Sequence, residues 1–237
     1  STTEFPRTPH QVHQQRNELT MTPPRHSQAR SEDYRQIQVP EEERQAWLDA
    51  ARDLFGFESL LPGQAEIMHC VAQGEDVLAI LPTGGGKSLI YQLPALRDDS
   101  GCTLVISPLI ALMKDQLDKL PRGVADLATS VNSTLDGTEV RRRLAEVSAG
   151  RCRLIYAAPE RLRQQSFLHR LNQAVVRRIV VDEAHCVSLW GHDFRPDYLY
   201  ISEARRLLGS PPLLALTATA PSWVRQDILR HLGPMQV

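Results

Sequence analysis

An apolar run, Val77–Leu81, leads straight into Pro82-Thr83-Gly84-Gly85-Gly86-Lys87-Ser88, after which apolar residues resume at helical spacing. Three glycines in a row end any regular element. A buried strand that stops at such a bend and restarts as a helix is the unit of parallel sheets, whose loops gather at one edge. The rest of the chain repeats this alternation. Runs rich in Val, Ile and Leu fall at Thr103–Ser107, Arg153–Ala157, Arg178–Val181 and Leu213–Leu216, with a further candidate strand at Asp126–Val131. Amphipathic stretches of helical length intervene at Leu109–Leu120, Thr138–Ser148 and Tyr198–Leu208. Strands that are apolar on both faces need cover on both sides. The expected class is therefore α/β, a mostly parallel sheet with helices on both faces.

Each apolar run is followed at once by turn-forming or polar residues: Pro82-Thr83-Gly84, Pro108, Pro159, Asp182-Glu183 and Thr217-Ala218-Thr219. In open α/β sheets ligands bind beyond the carboxyl ends of the strands. The glycine bend supplies backbone N–H groups that can curl around a phosphate, at the positive end of a helix. The chain uses 24 arginines but only three lysines, Lys87, Lys114 and Lys119. One of those three sits in the bend, where a compact point charge suits a phosphate oxygen. Lys87 is placed to reach β- and γ-phosphates, and the Ser88 hydroxyl to ligate Mg²⁺. The pattern departs from G-x-x-x-x-G-K-[ST] in one place, since Leu81 stands at the first glycine.

Ile179-Val180-Val181-Asp182-Glu183-Ala184-His185 is an apolar run ending in two carboxylates. Adjacent acids at a strand end are costly unless a cation or donors satisfy them. Asp182 is placed to hold Mg²⁺ through water, and Glu183 to orient and deprotonate an attacking water. The hydroxyls of Thr217-Ala218-Thr219 can relay hydrogen bonds toward those acids, or serve as a helix N-cap.

Outside this framework the sequence restricts the options by exclusion. No apolar run approaches the ~18–20 residues that span a membrane, and no segment has the form of a signal peptide. The net charge is −1, so any nucleic-acid surface must be a local patch. Cys70, Cys102, Cys152 and Cys186 are far apart with no CxxC pair, which argues against zinc or a disulfide framework in this stretch and for buried thiols in a reducing compartment. Ser1–Pro40 is rich in Pro, Ser, Thr, Gln and Arg, and poor in apolar residues. It is expected to be a disordered extension, with the folded part spanning 41–237. The chain begins without Met and is read as a cut from something longer.

Together these residues resemble superfamily 2 helicases, and within them the RecQ family, from about Phe55 to Leu232. Phe55-Gly56-Phe57 with Pro62-Gly63-Gln64 is similar to the family's adenine-reading segment, which implies Phe57 stacked on the base and Gln64 reading its edge. Leu61 stands where many members have Arg. Thr83, Gly84, Gly85, Gly86, Lys87 and Ser88 correspond to motif I. Ser107-Pro108-Leu109 with Asp115-Gln116 resembles motif Ia, and Ala158-Pro159-Glu160-Arg161 the next segment, so Pro108 and Arg161 are implied to meet DNA. Asp182-Glu183-Ala184-His185 corresponds to motif II, implying a catalytic role for His185 as well, and Thr217 and Thr219 to motif III. The most specific piece is Trp190-Gly191-His192-Asp193-Phe194-Arg195-Pro196-Asp197-Tyr198. It is similar to the aromatic-rich loop that couples DNA binding to ATP hydrolysis in RecQ proteins and that DEAD-box RNA helicases lack. Trp190 and Phe194 can stack on unpaired bases, and Arg195 can meet a phosphate.

The resemblance implies a RecA-like P-loop lobe that uses ATP and Mg²⁺ and acts on single-stranded or forked DNA, unwinding 3′ to 5′. It also implies a second RecA-like lobe in the parent protein, supplying an arginine that this chain lacks. The expected place is the bacterial cytoplasm beside the nucleoid, or the eukaryotic nucleus. Two alternatives stay open. One is a truncated nucleotide- or DNA-binding module with no unwinding of its own. The other is a small-molecule P-loop kinase, against which the aromatic loop and the Asp182–His185 tetrad count.

Overall fold

The computed structural model describes residues 34–191 and 193–235. Six strands form one sheet: β1 (Val77–Ile80), β2 (Cys102–Ile106), β3 (Ala128–Val131), β4 (Leu154–Ala157), β5 (Val176–Val181) and β6 (Leu213–Thr217). Their order is β1-β6-β5-β2-β4-β3 and every pairing is parallel. All the carboxyl ends therefore meet at one edge, as the turn-forming residues after each run require. The chain crosses from β1 over β6 and β5 to reach β2, which makes β1, β6 and β5 neighbours there.

Eight helices cover the two faces. On one lie α1 (Glu41–Phe55), α2 (Gln64–Ala72), α3 (Lys87–Arg97) and α4 (Ile110–Asp118); on the other lie α5 (Gly137–Ser148), α6 (Gln165–Gln173), α7 (Ile201–Leu207) and α8 (Ser222–Leu232). Strand side chains alternate between two cores. Leu104, Ile106, Ile179 and Val181 pack with Phe167, Leu171, Ile201 and Ile228, whereas Val105 and Val180 pack with Ile67, Met68, Ile90 and Leu93. This is the two-sided burial that continuous apolar runs predict. No helix among the described residues is long and apolar enough to cross a membrane.

Local chemistry explains the ends of the elements. Three acids, Glu41, Glu42 and Glu43, occupy the first turn of α1, and Gly56 closes it in the left-handed region at φ 73°, donating to the Arg52 carbonyl at 2.9 Å. Asp136 caps α5, accepting from the Thr138 and Glu139 N–H groups at 2.8 and 2.9 Å.

Three expectations are refined. The helix read as Tyr198–Leu208 begins instead as a 3₁₀ turn, Pro196–Tyr200, because Pro196 opens it, and becomes α-helical only over Ile201–Leu207. The strand read from Asp126 starts at Ala128, after a 3₁₀ turn at Ala125–Leu127. Of the stretch expected to lack structure, residues 1–33 lie outside the described residues. Tyr34–Gln36 forms a 3₁₀ turn whose Tyr34 ring rests against Gly63. The four cysteines are buried, and burial pushes the Cys102 thiol up to about 12 and the Cys186 thiol up to about 11. Such thiols are poor nucleophiles.

Candidate nucleotide site

The bend after β1 is a cradle that only glycine can form in places. Gly84 and Gly86 take φ of 83° and 66°. A Cβ on Gly86 would stand 2.3 Å from Gln64 Nε2, and one on Gly85 2.9 Å from the Pro82 carbonyl. Gly86 precedes α3, so Lys87 and Ser88 form its first turn, with N–H groups directed at the bend. Thr83 and Gly84 are exposed beside them. Ala at Gly86 meets both the left-handed backbone and the Gln64 amide. Gly86→Ala is therefore expected to destabilise the fold by about 1–3 kcal/mol and to weaken nucleotide binding at least tenfold, read by thermal melting and nucleotide titration.

Gln64 is 2% exposed and has both ends of its amide engaged. Its Oε1 accepts from the Leu61 N–H at 2.8 Å, and its Nε2 donates to the Gly86 carbonyl at 3.1 Å. It therefore fixes the phosphate bend to the start of α2. Phe57 is half exposed and stacks parallel on Phe55 with centroids 5.9 Å apart.

Asp182 follows the last residue of β5 and is buried. Its Oδ1 accepts from the Glu183 N–H at 3.0 Å, and its Oδ2 has only a long contact, 3.5 Å, from Ser107 Oγ at the end of β2. Burial first, then the Glu183 charge, push its carboxyl up to about 6, although the Lys87 ammonium pulls the other way. Lys87, after β1, and Asp182, after β5, thus lie on either side of the end of β6. Between them stands Thr217, which is fully buried and whose carbonyl accepts from the Leu81 N–H at 3.0 Å.

Glu183 sits in the left-handed region, φ 49° and ψ 48°, a strained place for a side-chain-bearing residue. That conformation turns its carboxylate toward His185, 3.3 Å from Nδ1. The same Nδ1 lies 3.1 Å from Thr217 Oγ1, whose single proton goes to the Thr219 carbonyl at 2.9 Å. Thr217 must therefore accept, so Nδ1 carries the proton. His185 Nε2 faces Asp193 at 3.7 Å. The relay expected of motif III runs through Thr217, whereas Thr219 takes part through its backbone and is exposed.

The aromatic loop is anchored at both ends, and its tip is open. Trp190 is 80% exposed and Leu189 beside it is exposed as well. Phe194 is half-buried, and Asp193 and Arg195 are exposed. The Arg195 N–H donates to the Cys186 carbonyl at 2.9 Å, and Ser188 Oγ donates to Asp227 on α8 at 2.7 Å. His192 lies outside the described residues. An apolar side chain as large as Trp190 left in water points outward for contact rather than packing.

Two features here went unread in the sequence. The Tyr198 hydroxyl, completely buried, donates to the Asp182 carbonyl at 2.8 Å, so the far end of the aromatic loop is fixed to the acid pair. Gln92 on α3 donates to Tyr156 Oη at 2.9 Å and to Gln116 Oε1 on α4 at 3.0 Å, which links the phosphate-loop helix to the segment resembling motif Ia. The clue was present, since Tyr91-Gln92 places two polar groups within an apolar helix. Pro108 is half-buried at the end of β2. Arg161 follows β4, and its guanidinium donates to the carbonyl of Asn132 and to Gln164 Oε1.

The donor set suits a divalent cation held by oxygen. The Asp182 carboxylate is buried and under-bonded after β5, and Ser88 lies in the first turn of α3 beside the glycine bend at the same sheet edge; such cations take few protein ligands and keep several waters. Among the described residues no group of three His, Cys, Asp or Glu is placed to hold a metal by itself.

Comparison with known proteins agrees with this geometry. A family model described as DEAD/DEAH box helicase matches residues 61–227. The chain is 44% identical over 190 residues to the ATP-dependent DNA helicase RecQ of Pasteurella multocida, covering 80% of this chain and 30% of that protein. It is 46% identical over 189 residues to the ATP-dependent DNA helicase Q5 of Mus musculus, covering 76% of this chain and 19% of that protein. The structure of the DUF1998 helicase MrfA bound to DNA and AMPPNP shares the fold, with a TM-score of 0.65 and 20% identity over 84% of this chain and 29% of that one. The chain therefore spans about 30% or less of the length of these relatives. With its RecA-like sheet and its RecQ-type relatives, this chain belongs to the DEAD/DEAH box helicase family.

Proposed function

We propose that residues 41–237 form the ATP-hydrolysing first lobe of a RecQ-type motor that moves 3′ to 5′ on single-stranded DNA and unwinds forked DNA, with residues 1–40 as an appendage. The observation that carries this reading is that the glycine bend after β1 and the Asp182-Glu183 pair after β5 lie at the same edge of the sheet with only β6 between them. A triphosphate in the Gly84–Gly86 cradle has Lys87 at its β- and γ-phosphates. Asp182 and Ser88 would hold Mg²⁺, which would neutralise charge on the phosphate oxygens. Glu183 orients the attacking water and accepts its proton. His185, with Nδ1 already committed to Thr217 and Glu183, holds that acid in its strained backbone position and presents Nε2 toward the aromatic loop. Phe57 stacks on the base, and Gln64 reads its edge by exchanging its own bonds to the Leu61 N–H and the Gly86 carbonyl, which ties base binding to the phosphate bend.

DNA is read by the tip of the loop at Trp190, supported by Phe194 and Arg195, with Pro108 and Arg161 along the same edge. Its grip is passed to the chemistry through Tyr198 and the Asp182 carbonyl, and through Asp193 and His185. Trp190→Ala is expected to leave ATP affinity within about twofold and to remove stimulation of hydrolysis by single-stranded DNA. Loss of one stacked base contact is worth about 1–3 kcal/mol. Undiminished stimulation in a DNA titration of ATP turnover would refute the coupling role.

This lobe supplies half of an interlobe site, so transition-state charge needs an arginine from a second RecA-like lobe. Removing such a group costs ~10³-fold or more. ATP turnover by these 237 residues with single-stranded DNA is expected to be lower by that factor than turnover by a chain that continues through a second lobe. Equal rates for the two would instead favour a self-sufficient ATPase.

A further inference from the structure

At the opposite edge of the sheet, where the strands begin, Arg178 is the second of two adjacent arginines in β5 and points toward α2 and α3. It is only 9% exposed. Its one hydrogen bond is long, from Nη1 to Thr103 Oγ1 at 3.4 Å, and its Nε has no partner among the described residues. Asp98, an acid that favours its charge, lines the same clefts and has one oxygen committed to Ser100. Its Oδ1 accepts from the Ser100 N–H at 2.9 Å and from the Ser100 hydroxyl at 2.5 Å. Burial accordingly pulls the guanidinium below its ordinary pKa. A buried guanidinium with an unpartnered Nε and a long Nη1 bond is costly, and is retained where something outside satisfies it.

Arg178 and Asp98 stand between two open clefts. One, of about 440 Å³, is polar and runs along Arg177, Gly209 and Ser210. The other, of about 460 Å³, is more apolar, with Ala46, Ala72 and Pro94 in its lining, and carries Glu43 and Arg97 at its wall, the Arg97 guanidinium lying over the Trp47 ring at 5.0 Å. Both α2 and α3 end at this edge, so their negative poles face it. Those poles and Asp98 favour the Arg178 cation but oppose a ligand of charge −2. The site is therefore matched to a single carboxylate carried next to an apolar group.

We propose that this double cleft is a docking site for a partner protein segment that presents an Asp or Glu carboxylate to Arg178 and an adjacent apolar side chain to Ala72 and Pro94. Arg pairs with a carboxylate through two parallel donors, which gives the segment a fixed orientation. The site lies at the far edge of the sheet from the nucleotide cradle, so a bound segment leaves both the ATP site and the Trp190 loop free. This proposal does not depend on the nucleotide reading.

The test uses the whole chain and a fluorescein-labelled Leu-Asp-Leu-Glu-Leu peptide followed by anisotropy. Saturable binding is expected, weakened at least tenfold when the peptide's acids are replaced by Asn and Gln. Arg178→Gln is expected to weaken it at least tenfold. So is Ala72→Trp, which fills the cleft from an exposed position and carries the test by itself if the Arg178 variant does not fold. Arg178→Leu is expected to melt at a higher temperature than the parent while losing the peptide, the behaviour of a charge kept for binding rather than for folding. The proposal is overturned by an absence of saturable binding, by equal binding of the uncharged peptide, by full affinity in both Arg178→Gln and Ala72→Trp, or by displacement with inorganic phosphate as effective as with unlabelled peptide.

Discussion

Lys87→Ala is expected to lower ATP turnover, in a chain that carries both lobes, by at least ~10²–10³-fold, the loss that follows removal of one preorganised donor from developing charge. Lys87→Arg is expected to fail nearly as badly, because the planar guanidinium does not fit a cradle closed by Gln64 and Leu61 around Gly86. The fold should survive both changes, since Lys87 lies on the first turn of α3 and outside both hydrophobic cores. A second signature follows from the electrostatics. The Lys87 ammonium favours ionised Asp182, so its removal pushes that carboxyl higher still and destabilises the nucleotide-free lobe at neutral pH. The destabilisation should vanish when Asp182 is already Asn. Turnover within tenfold of the parent, or an equal loss of stability in the Asp182→Asn background, would remove the basis of the phosphate-site reading.

Asp182→Asn is expected to abolish turnover and yet stabilise the nucleotide-free lobe. The carboxyl is raised from its ordinary 3.8 to about 6, so the folded state binds the proton more tightly than the unfolded state does. Its unfavourable contribution is absent below about 4, grows as pH rises, and is complete above about 6. At pH 8 the Asn variant, which keeps an acceptor for the Glu183 N–H, should therefore be more stable by on the order of 2 kcal/mol. That corresponds to roughly 4–8 °C in melting temperature for a domain of this size. At pH 4 the gain should disappear. The same ionisation sets the metal dependence: Mg²⁺-nucleotide binding to the free lobe should weaken about tenfold per pH unit below pH 6. An Asn variant that melts lower than the parent at pH 8, or Mg²⁺ affinity flat from pH 7 to pH 5, would contradict this account. Stability given up at Asp182 is the expected pattern for a site built to hold a cation.

The parts legible in advance share one property: each is written within a few consecutive residues. Val77–Ile80, Leu104–Ile106 and Leu213–Leu216 are apolar without interruption, which specifies two-sided burial. The glycine bend and the acid pair are likewise local, because a strand end and a turn fit within eight residues. Less legible were α2, α6 and α8. The apolar residues of α6, Phe167, Leu168 and Leu171, span barely more than one turn, too short a record for a 3.6-residue period to stand out. The boundary near Pro196 moved because a proline opened a tight turn before the helix.

Sequence alone determined the class of sheet, the edge at which its loops collect, and the residue types that meet a triphosphate there. Only the tertiary structure decided that β6 lies between β1 and β5, which brings Thr217 between Lys87 and Asp182. It alone bonded Gln64 to Gly86, hung the aromatic loop from Asp182 through Tyr198, and left the Arg178 guanidinium without a full set of partners. The reason is physical. Periodicity and turn chemistry are properties of neighbouring residues, whereas these contacts join residues that meet only after strand order and register are set by packing two cores at once.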